Sequence, residues 1–382
     1  MIYKTLIYIG VTDSAVFNSQ VISLLQKIKD KRFFNRIILL CGVNENQNWN
    51  SVLSDFENTE LEIILFKKFP NYHFFSPKQK KEFYYLLKRI LTNNTIIHIR
   101  GESFTTVIKQ TINRLNYKNV RVLTDVRGAI YEETQLYNRL KPVQKQLKLY
   151  QLKKNTNALG KNSDSISCVS KYLRKFILQR TAMDKNKVFV NHCVAGGDFY
   201  FSKKTRLKYR NKLKLSNTDI VFVFATGGDK KWENTEAIIN GIIQKNYKII
   251  NLSKRDINLK NVINLFVPYR EVANYLNAAD IGVIWRNNDI VNNVASPVKL
   301  SEYACCGLPI VANNGVCLIN DYLSNNGCGK IVNGFDEITP TVINRLISLD
   351  RNEISQCALK LFSSEIIANN YIKIYDKLLC LS

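Results

Sequence analysis

The sequence predicts an α/β protein built from two doubly wound, parallel-sheet domains. Short apolar strands alternate with helical patterns along almost the whole chain, which is typical of parallel sheets. The alternation breaks over residues 193–217 and then restarts. At 382 residues the chain is also too long for one ordinary core, and it suits two domains of about 150–200 residues.

The first half of the chain contains seven candidate strands. They are residues 4–10, 35–43, 61–66, 95–100, 120–126, 165–170 and 187–192. Residues 19–28 and 103–115 instead repeat apolar side chains at three- and four-residue steps, which predicts helices. We therefore expect a first domain over residues 1–195 and a hydrophilic, lysine-rich linker within 193–217.

The second half repeats the alternation. Its candidate strands are 218–226, 247–253, 261–267, 280–286, 308–313 and 329–333, and its candidate helices are 233–245, 270–279, 297–306 and 339–349. These elements predict a second domain over residues 196–363, followed by a long helix within 364–382. Because doubly wound sheets bind ligands beyond the carboxyl ends of their strands, we expect the site in a cleft between the domains.

The composition is that of a globular protein, with 46% hydrophobic and 23% charged residues. No apolar run approaches the roughly 18–20 residues that span a bilayer. The first ten residues alternate toward Gly10 and predict a strand rather than a signal peptide. The nine cysteines lie in apolar segments without CxxC spacing, which indicates reduced core thiols in a cytoplasmic protein.

The positive charge is concentrated in the first half of the chain. The net charge is +24, and residues 1–190 hold 32 lysines and arginines against 14 acidic residues. Residues 191–382 hold 23 against 17. The electrostatic field of so many positive charges attracts polyanions, either nucleic acid or an anionic membrane surface.

Two basic segments of the first half interleave lysines with apolar side chains. Residues 67–91 place Phe83, Leu87 and Ile90 on one side of a predicted helix, and residues 139–154 repeat the pattern. This arrangement suits a helix lying at a lipid headgroup interface, or a surface helix with solvated lysines and an inward apolar stripe. We take an anionic membrane surface as the expected partner of the first domain, and nucleic acid is not expected.

The most informative motif is SPVKLSEYACCGLPIVAN, residues 296–313. We predict that Ser296 caps a helix whose first turn holds Pro297. Lys299 and Glu302 are three residues apart and share one face near the helix start. An ionised carboxylate only accepts hydrogen bonds, so its two oxygens suit the two hydroxyls of a ribose. The alternative is that Glu302 simply pairs with Lys299 on an exposed helix face.

A glycine pair, Gly227 and Gly228, follows a predicted strand and precedes a predicted helix. Backbone amides without side chains can approach a diphosphate closely, and a helix N-terminus favours its negative charge. Lys230 and Lys231 supply cations beside the pair. The alternative is an ordinary glycine turn with exposed lysines.

Two loops of the first domain, HIRGE and TDVRGAIYEE, each follow a predicted strand. The carboxyl ends of parallel strands meet at one sheet edge, so Arg100, Asp125 and Arg127 are candidates for acceptor or phosphate contacts. His98 is either functional there or a buried core residue. Gly10 either lets an acceptor approach the backbone or forms a simple turn.

Together these features resemble glycosyltransferase family 4, whose members are retaining GT-B enzymes that use nucleotide-sugar donors. The run S-P-x-K-x-x-E-Y-x-x-x-G-x-P-I-V-A, preceded by VPY and YLNAADIGV, is similar to the donor-nucleotide motif of the family. Residues 221–239 resemble the strand, glycine loop and helix that hold the donor phosphates. The resemblance is strong over 218–333 and loose over 1–160. It implies two Rossmann-like domains facing a central cleft, with the final helix, 364–382, packing back on the first domain.

The resemblance also implies roles for individual residues. Glu302 would bind the nucleotide ribose, Lys231 the diphosphate and His98 the donor sugar, and these three form the expected catalytic set. The expected donor-binding set is Gly227, Gly228, Lys231, Arg286, Asn293, Ser296, Pro297, Lys299 and Glu302. Family members commonly carry a second glutamate eight residues before the ribose-binding one. Here that position is Val294, which leaves the donor sugar open.

The activity implied by the resemblance is metal-independent transfer of a sugar from a UDP- or GDP-sugar to a glycan or lipid-linked acceptor, with retention. The implied pathway is bacterial surface polysaccharide synthesis, at the cytoplasmic face of the cell membrane. No cofactor or metal is expected, because no D-x-D triplet occurs and the three histidines are scattered. The alternatives are a nucleotide-sugar epimerase or hydrolase with the same fold, and a non-catalytic basic module that binds membrane or nucleic acid.

Overall fold

The computed structural model describes residues 3–11, 17–43, 60–67, 77–226, 233, 238, 240–242 and 247–380. The chain divides into two compact units. The first comprises Met1–Phe17, Val21–Asn191 and Ala368–Ser382, and the second comprises Asn18–Gln20 and His192–Ile367. Each unit contains one parallel sheet with helices between its strands, so the predicted class of two Rossmann-like α/β domains is confirmed.

The sheet of the first unit has the strand order β3-β2-β1-β4-β5-β6-β7. The strands are β1 Thr5–Val11, β2 Arg36–Val43, β3 Glu62–Lys67, β4 Thr95–Arg100, β5 Val120–Val126, β6 Ser165–Cys168 and β7 Val188–Val190. The central strand β1 is buried from Thr5 through Gly10, as expected of a strand covered on both faces. The strand order reverses between β1 and β4, where Tyr8 is the register partner of His98.

The helices of the first unit pack their apolar faces onto this sheet. They are α1 Ser23–Asp30, α2 Pro77–Ile90, α3 Thr105–Leu115, α4 Ile130–Tyr137, α5 Pro142–Asn162 and α6 Lys171–Leu178, and a π-helical turn, Asn18–Ile22, leads into α1. Phe83 and Leu87 of α2 and Ile108 of α3 join Ile97 and Ile99 of β4 in one buried cluster. The expected apolar stripe of residues 67–91 therefore faces inward.

The sheet of the second unit has the order β10-β9-β8-β11-β12-β13. Its strands are β8 Val221–Ala225, β9 Lys248–Leu252, β10 Val262–Leu265, β11 Ile281–Ile284, β12 Ile310–Ala312 and β13 Gly329–Ile331. The pairings between its described strands are all parallel, and the order reverses between β8 and β11. Each sheet thus has its own reversal point, which is where such folds place their ligands.

The second unit's helices are α7 Lys203–Lys212, α8 Tyr269–Ala278, α9 Ile290–Asn293, α10 Val298–Cys305, α11 Cys317–Asn326, α12 Pro340–Ile347, α13 Arg351–Phe362 and α14 Ser364–Leu379. Asp289, Thr339 and Asp350 cap α9, α12 and α13 by accepting backbone N–H bonds, which explains where these helices begin. Helix α14 starts in the second unit and belongs to the first from Ala368 onward.

The lysine-rich run expected to be a linker contains helix α7 and belongs to the second unit, so it is not a linker. Ser202 caps this helix by accepting from the Thr205 N–H. Arg206 and the buried Arg210 donate to carbonyl oxygens at the end of α8 and to the carboxylate of Asp280. These hydrophilic side chains are bonded to protein rather than to water, which composition alone does not reveal. None of the helices in the described ranges has the length and hydropathy needed to cross a bilayer.

Candidate functional site

A pocket lies in the second unit where the strand order reverses between β8 and β11. It is open to solvent, and the empty space in and around it is about 300 Å³. Thr226 lines it just after β8, Trp285 and Arg286 line it just after β11, and Lys299 of α10 completes one side. Because doubly wound sheets bind ligands at this point of the sheet, the pocket is the candidate site.

Helix α10 is fixed beside the pocket by its own buried residues. The hydroxyl of Tyr303 accepts a hydrogen bond from the Ala225 N–H, at 2.7 Å, at the carboxyl end of β8. Gly282 of β11 permits this approach, because a Cβ there would lie 2.5 Å from the Tyr303 ring. On the other side, Ser355 Oγ of α13 donates to the Cys305 carbonyl at 2.6 Å. These contacts set the positions of Lys299 and Glu302.

Glu302 is fully buried on α10. Its Oε2 accepts a hydrogen bond from Lys299 Nζ at 2.7 Å, so the pair named in the alternative interpretation does form. The pair does not lie on an exposed helix face, since Glu302 has no exposed surface and the Lys299 side chain is 17% exposed. Glu302 Oε1 has no hydrogen-bond partner among the residues that the structure describes. A buried carboxylate oxygen without a donor is costly, and a ligand hydroxyl would satisfy it.

The start of α10 differs from the prediction that Ser296 caps it. The helix begins at Val298, and Pro297 is the cap residue in an extended conformation with no side-chain cap bond. Ser296 lies outside the helix, and its Oγ accepts from the Cys193 N–H at 3.5 Å. The extended ψ of Pro297 delays the helical turn by one residue, which moves Ser296 out of capping reach.

Arg286 is held at the pocket by bonds to both its backbone and its side chain. Its backbone N–H donates to Asn313 Oδ1 at 2.9 Å, and Asn313 Nδ2 donates to its carbonyl at 2.7 Å. Its guanidinium donates to Glu233 at 2.8 Å, and the hydroxyl of Thr226 donates to the same carboxylate. Sequence reasoning missed Thr226 and Glu233, although both flank the glycine loop that it singled out.

The structure describes only some of the other residues predicted for the donor site. Asn293 is half-buried at the end of α9. Val294, at the position expected to hold a second glutamate, is buried with 4% exposure. Gly227, Gly228, Lys230 and Lys231 lie outside the described residues.

In the first unit, polar side chains cluster where the strand order reverses. His98 of β4 and Asp125 of β5 are buried, with Nε2 and Oδ2 3.9 Å apart. The hydroxyl of Tyr371 donates to Asp125 Oδ1 at 3.1 Å, and the hydroxyl of Tyr375 bonds to His98 Nδ1 at 2.6 Å. Both tyrosines belong to α14, so the last helix holds the ends of two neighbouring strands.

Nearby charges and burial together determine which groups of this cluster are ionised. Burial raises the pKa of Asp125, but the nearby Arg127, His98 and Arg100 outweigh it and hold that pKa well below its usual range. Burial lowers the pKa of His98, which keeps the imidazole neutral at pH 7. If Tyr375 donates to Nδ1, the imidazole proton sits on Nε2 and faces the Asp125 carboxylate, the electrostatically favoured tautomer.

The two arginines predicted in this cluster converge on one carboxylate. Arg127 Nη1 lies 3.3 Å and Arg100 Nη1 lies 3.9 Å from Asp125 Oδ2. Gly10 ends the buried part of β1, and a Cβ there would lie 3.2 Å from the Phe17 ring. The structure therefore brings His98, Arg100, Asp125 and Arg127 together.

Glu102, which the sequence reasoning did not single out, is buried beside this cluster. Its carboxylate accepts a hydrogen bond from Thr156 Oγ1 at 2.7 Å, and burial raises its pKa to about 7. Glu132, which pairs with Arg180, adds to the negative charge around it. The signal in the sequence is its place directly after Gly101, at the end of β4. Within the described ranges, no group of three or more histidine, cysteine or acidic side chains could hold a metal ion.

No protein-family model and no curated protein sequence matches the chain. Solved structures do match it along its whole length. A glycosyltransferase from Rickettsia africae ESF-5 has a TM-score of 0.69 and 12% identity, with all of both chains covered. Anabaena HepE, solved in complex with UDP-glucose, has a TM-score of 0.70 and 12% identity, covering 99% of this chain and 100% of that chain.

A Listeria monocytogenes protein described as a UDP-N-acetylglucosamine 2-epimerase also matches. Its TM-score is 0.61 and its identity 9%, with 98% of this chain and 96% of that chain covered. At identities this low the similarity establishes the fold, which is the GT-B fold of two Rossmann-like domains.

Proposed function

We propose that the protein is a glycosyltransferase that moves a sugar from a nucleotide-diphosphate donor to a glycan or lipid-linked acceptor. The observation that supports this best is the buried Glu302 carboxylate, which bonds the pocket-lining Lys299 through one oxygen and has no donor to the other among the described residues. Two adjacent ribose hydroxyls would supply the donors that this carboxylate needs. The resemblance of residues 296–313 to a donor-nucleotide motif points to the same ligand.

Cations around the pocket suit a diphosphate leaving group. Arg286 and Lys299 both line the pocket. Each is paired with a carboxylate, Glu233 and Glu302 respectively, which holds its N–H donors in place. Negative charge builds on the leaving diphosphate as the glycosidic bond breaks, so cationic donors fixed there lower the barrier. We propose that these two residues act together with Lys231 and with the backbone amides of Gly227 and Gly228.

We propose retention of the anomeric configuration, by analogy with the family that the sequence resembles. In this scheme the acceptor hydroxyl attacks the anomeric carbon from the face that the diphosphate leaves, and its proton passes to the departing phosphate oxygen. The carbon–oxygen bond to the phosphate breaks as the new glycosidic bond forms, with no metal involved. His98 is the proposed sugar contact, and its Nε2 is an atom without a hydrogen-bond partner among the described residues.

We propose that the acceptor binds the first unit, near Gly10, Arg100, Asp125 and Arg127. The two arginines beside a buried carboxylate provide a rigid set of donors for hydroxyls or anionic groups. A role in bacterial surface polysaccharide synthesis, at the cytoplasmic face of the membrane, is proposed from the family resemblance and from the basic charge of residues 1–190.

The test is a donor screen by thermal shift, followed by a nucleotide-release assay with membrane extract as the acceptor source. A donor that binds should stabilise the protein by roughly 2.7 kcal/mol at a hundredfold excess over its dissociation constant. Glu302→Ala should abolish both the shift and turnover, and Glu302→Gln should weaken donor binding about tenfold, because an amide accepts only through one atom. The matched control is Glu353→Ala, an exposed carboxylate on α13.

An unchanged donor-induced shift in folded Glu302→Ala protein would contradict the site. The assay also separates the alternative functions. Nucleotide release that requires the acceptor supports transfer, whereas release or sugar isomerisation without any acceptor indicates a hydrolase or an epimerase. No thermal shift with any nucleotide sugar would favour a non-catalytic module.

A further inference from the structure

Helix α5 presents a row of apolar side chains to solvent. Val143, Leu147 and Tyr150 are 72%, 49% and 65% exposed. Their spacing of four and three residues places them along one face of the helix. The opposite face is the one that packs inward, through Leu149, Leu152 and Leu159. We call the exposed row, Val143, Leu147 and Tyr150, the α5 stripe.

Lysines lie on the same face of α5 as the stripe and next to that face. Lys154 and Lys161 extend the same face of the helix toward its carboxyl end, and Lys153 lies beside it. None of these three lysines forms an ion pair with a residue that the structure describes. Helix α5 contains no acidic residue at all. The stripe is therefore an apolar strip next to uncompensated positive charge.

The neighbouring helices extend this charge. Helix α3 packs against both α2 and α5, so the three helices form one layer on the first unit. Together α2, α3 and α5 contain 12 lysines and arginines and one acidic residue, Glu82. In α2, Lys78, Lys80, Lys81 and Lys88 are exposed beside Tyr85, which is itself 52% exposed. The solvent side of the layer is strongly basic.

We propose that the α5 stripe docks on an anionic lipid surface. Val143, Leu147 and Tyr150 would enter the headgroup region, while the lysines reach the lipid phosphates along flexible apolar stems. Charge complementarity selects this occupant. A second copy of the chain would bring two basic layers together and repel, and nucleic acid would neutralise the lysines but leave the apolar row exposed.

Docking of the α5 stripe would explain how the protein reaches its proposed membrane location. It rests on the proposed function only for its purpose, which is to bring the first unit to a lipid-linked acceptor. The docking itself does not involve the donor pocket. Folded Glu302→Ala protein should therefore bind vesicles as the unaltered protein does. Conversely, variants of the stripe should keep the thermal shift produced by UDP.

The experiment is co-sedimentation of the full chain with vesicles of phosphatidylcholine alone or with 30% phosphatidylglycerol. We expect binding to the anionic vesicles to exceed binding to the neutral ones by about tenfold or more, and to weaken as salt is raised. The triple variant Val143→Ser, Leu147→Ser, Tyr150→Ser should bind the anionic vesicles about tenfold less well. Since all three side chains are exposed, circular dichroism should show an unchanged fold.

The second unit supplies matched controls. Leu207 is 56% exposed on α7, another lysine-rich helix, so Leu207→Ser removes an exposed apolar residue from a basic surface outside the stripe. The charge reversal Lys153→Glu, Lys154→Glu should weaken binding, whereas the same reversal at the exposed Lys203 and Lys204 of α7 should have little effect. These pairs separate a local docking surface from a general effect of the net charge.

Three outcomes would overturn the proposal. The first is equal binding to neutral and anionic vesicles, or no binding to either. The second is an equal loss of binding in the α7 controls. The third is that the triple variant keeps its affinity for anionic vesicles and that duplex DNA competes fully with the vesicles. That result would assign the basic layer to nucleic acid.

Discussion

At the scale of single residues, some of the buried polar atoms without partners belong to the two candidate sites. Among the described residues these atoms include Glu302 Oε1 in the second unit and His98 Nε2 and Tyr8 Oη in the first. Folded proteins leave few such atoms unsatisfied, because each costs roughly 1–3 kcal/mol. Tyr8 and His98 lie on the two strands between which the first sheet reverses its order, and Glu302 bonds Lys299, which lines the pocket of the second unit. We therefore interpret these atoms as candidate ligand contacts.

Glu102 gives a prediction about pH. Its pKa rises from 4.5 to about 7 on folding, so between these values the folded protein binds a proton that the unfolded chain releases. Stability should therefore fall as the pH rises from 4.5 to 7, by up to about 3 kcal/mol from this group. Glu102→Gln should remove that part of the decline, as measured by urea unfolding at pH 5, 6, 7 and 8.

The comparison variant for this measurement is Glu82→Gln. Glu82 is exposed on α2, so this variant makes the same chemical change at a side chain that is not buried. The groups that face Glu102 are Thr156, Glu132 and Arg180, and none of them is altered in either variant. A slope in Glu102→Gln equal to that of the unaltered protein would show that Glu102 is ionised throughout.

At the scale of elements, the carboxyl end of α10 depends on one glycine. Gly307 has a φ of +68°, and a Cβ there would lie 2.2 Å from the Arg351 carbonyl oxygen. Arg351 in turn donates to the Cys306 carbonyl at 2.9 Å, which closes the end of the helix. The helix that carries Glu302 is thus tied to α13 through backbone contacts that leave no room for a side chain.

Gly307→Ala should destabilise the protein by more than a positive φ alone explains. Gly327, at the end of α11, is the matched control, since its φ is +63° but nothing lies within 4 Å of its Cβ position. Gly327→Ala should cost about 1 kcal/mol, and Gly307→Ala at least about 2 kcal/mol more because the Arg351 backbone must move. Urea midpoints compare the two, and equal losses would contradict the steric argument.

At the scale of the whole molecule, α14 carries the chain from the second unit into the first. Its first residues, through Ile367, belong to the second unit, and Tyr371 and Tyr375 are buried in the first. There they bond the Asp125 carboxylate and the His98 ring. The last helix is thus part of the polar cluster at the first sheet's reversal point.

Tyr371→Phe should lower the unfolding free energy by about 1.5–3 kcal/mol, because it removes a hydrogen bond to a buried carboxylate. Tyr8→Phe is the contrasting variant, since it removes a buried hydroxyl that has no partner among the described residues and should be neutral or stabilising. Because Tyr371 lies in the first unit, the thermal shift produced by UDP should persist. Loss of that shift in folded Tyr371→Phe protein would contradict a nucleotide site confined to the second unit.

The strands were the most predictable feature of the fold. Runs such as 95–100 and 120–126 coincide with β4 and β5, because strands buried on both faces read as continuous Val- and Ile-rich segments. Helices were less predictable where polar residues dominate. The sequence predicts a linker where α7 lies, because the arginines of this helix bond backbone carbonyls that only the folded chain brings within reach.

The candidate site was predictable in outline from its motif. The spacing of Lys299 and Glu302 predicted that they share one helix face, and the structure shows their side chains hydrogen-bonded at 2.7 Å. The burial of Glu302 and the contributions of Thr226 and Glu233 were not predictable, because they depend on how α10 packs against the ends of β8 and β11. The roles of these residues remain proposals.

Local periodicity was sufficient to determine the alternation of strands and helices, because each pattern depends only on neighbours in sequence. Tertiary structure decided which face of each element meets solvent. Helix α5 has two apolar rows, and its sequence does not distinguish Leu149, Leu152 and Leu159, which pack inward, from the α5 stripe, which does not. The helices and strands that pack against α5 determine which of the two rows is buried, because burial depends on contacts with residues distant in sequence.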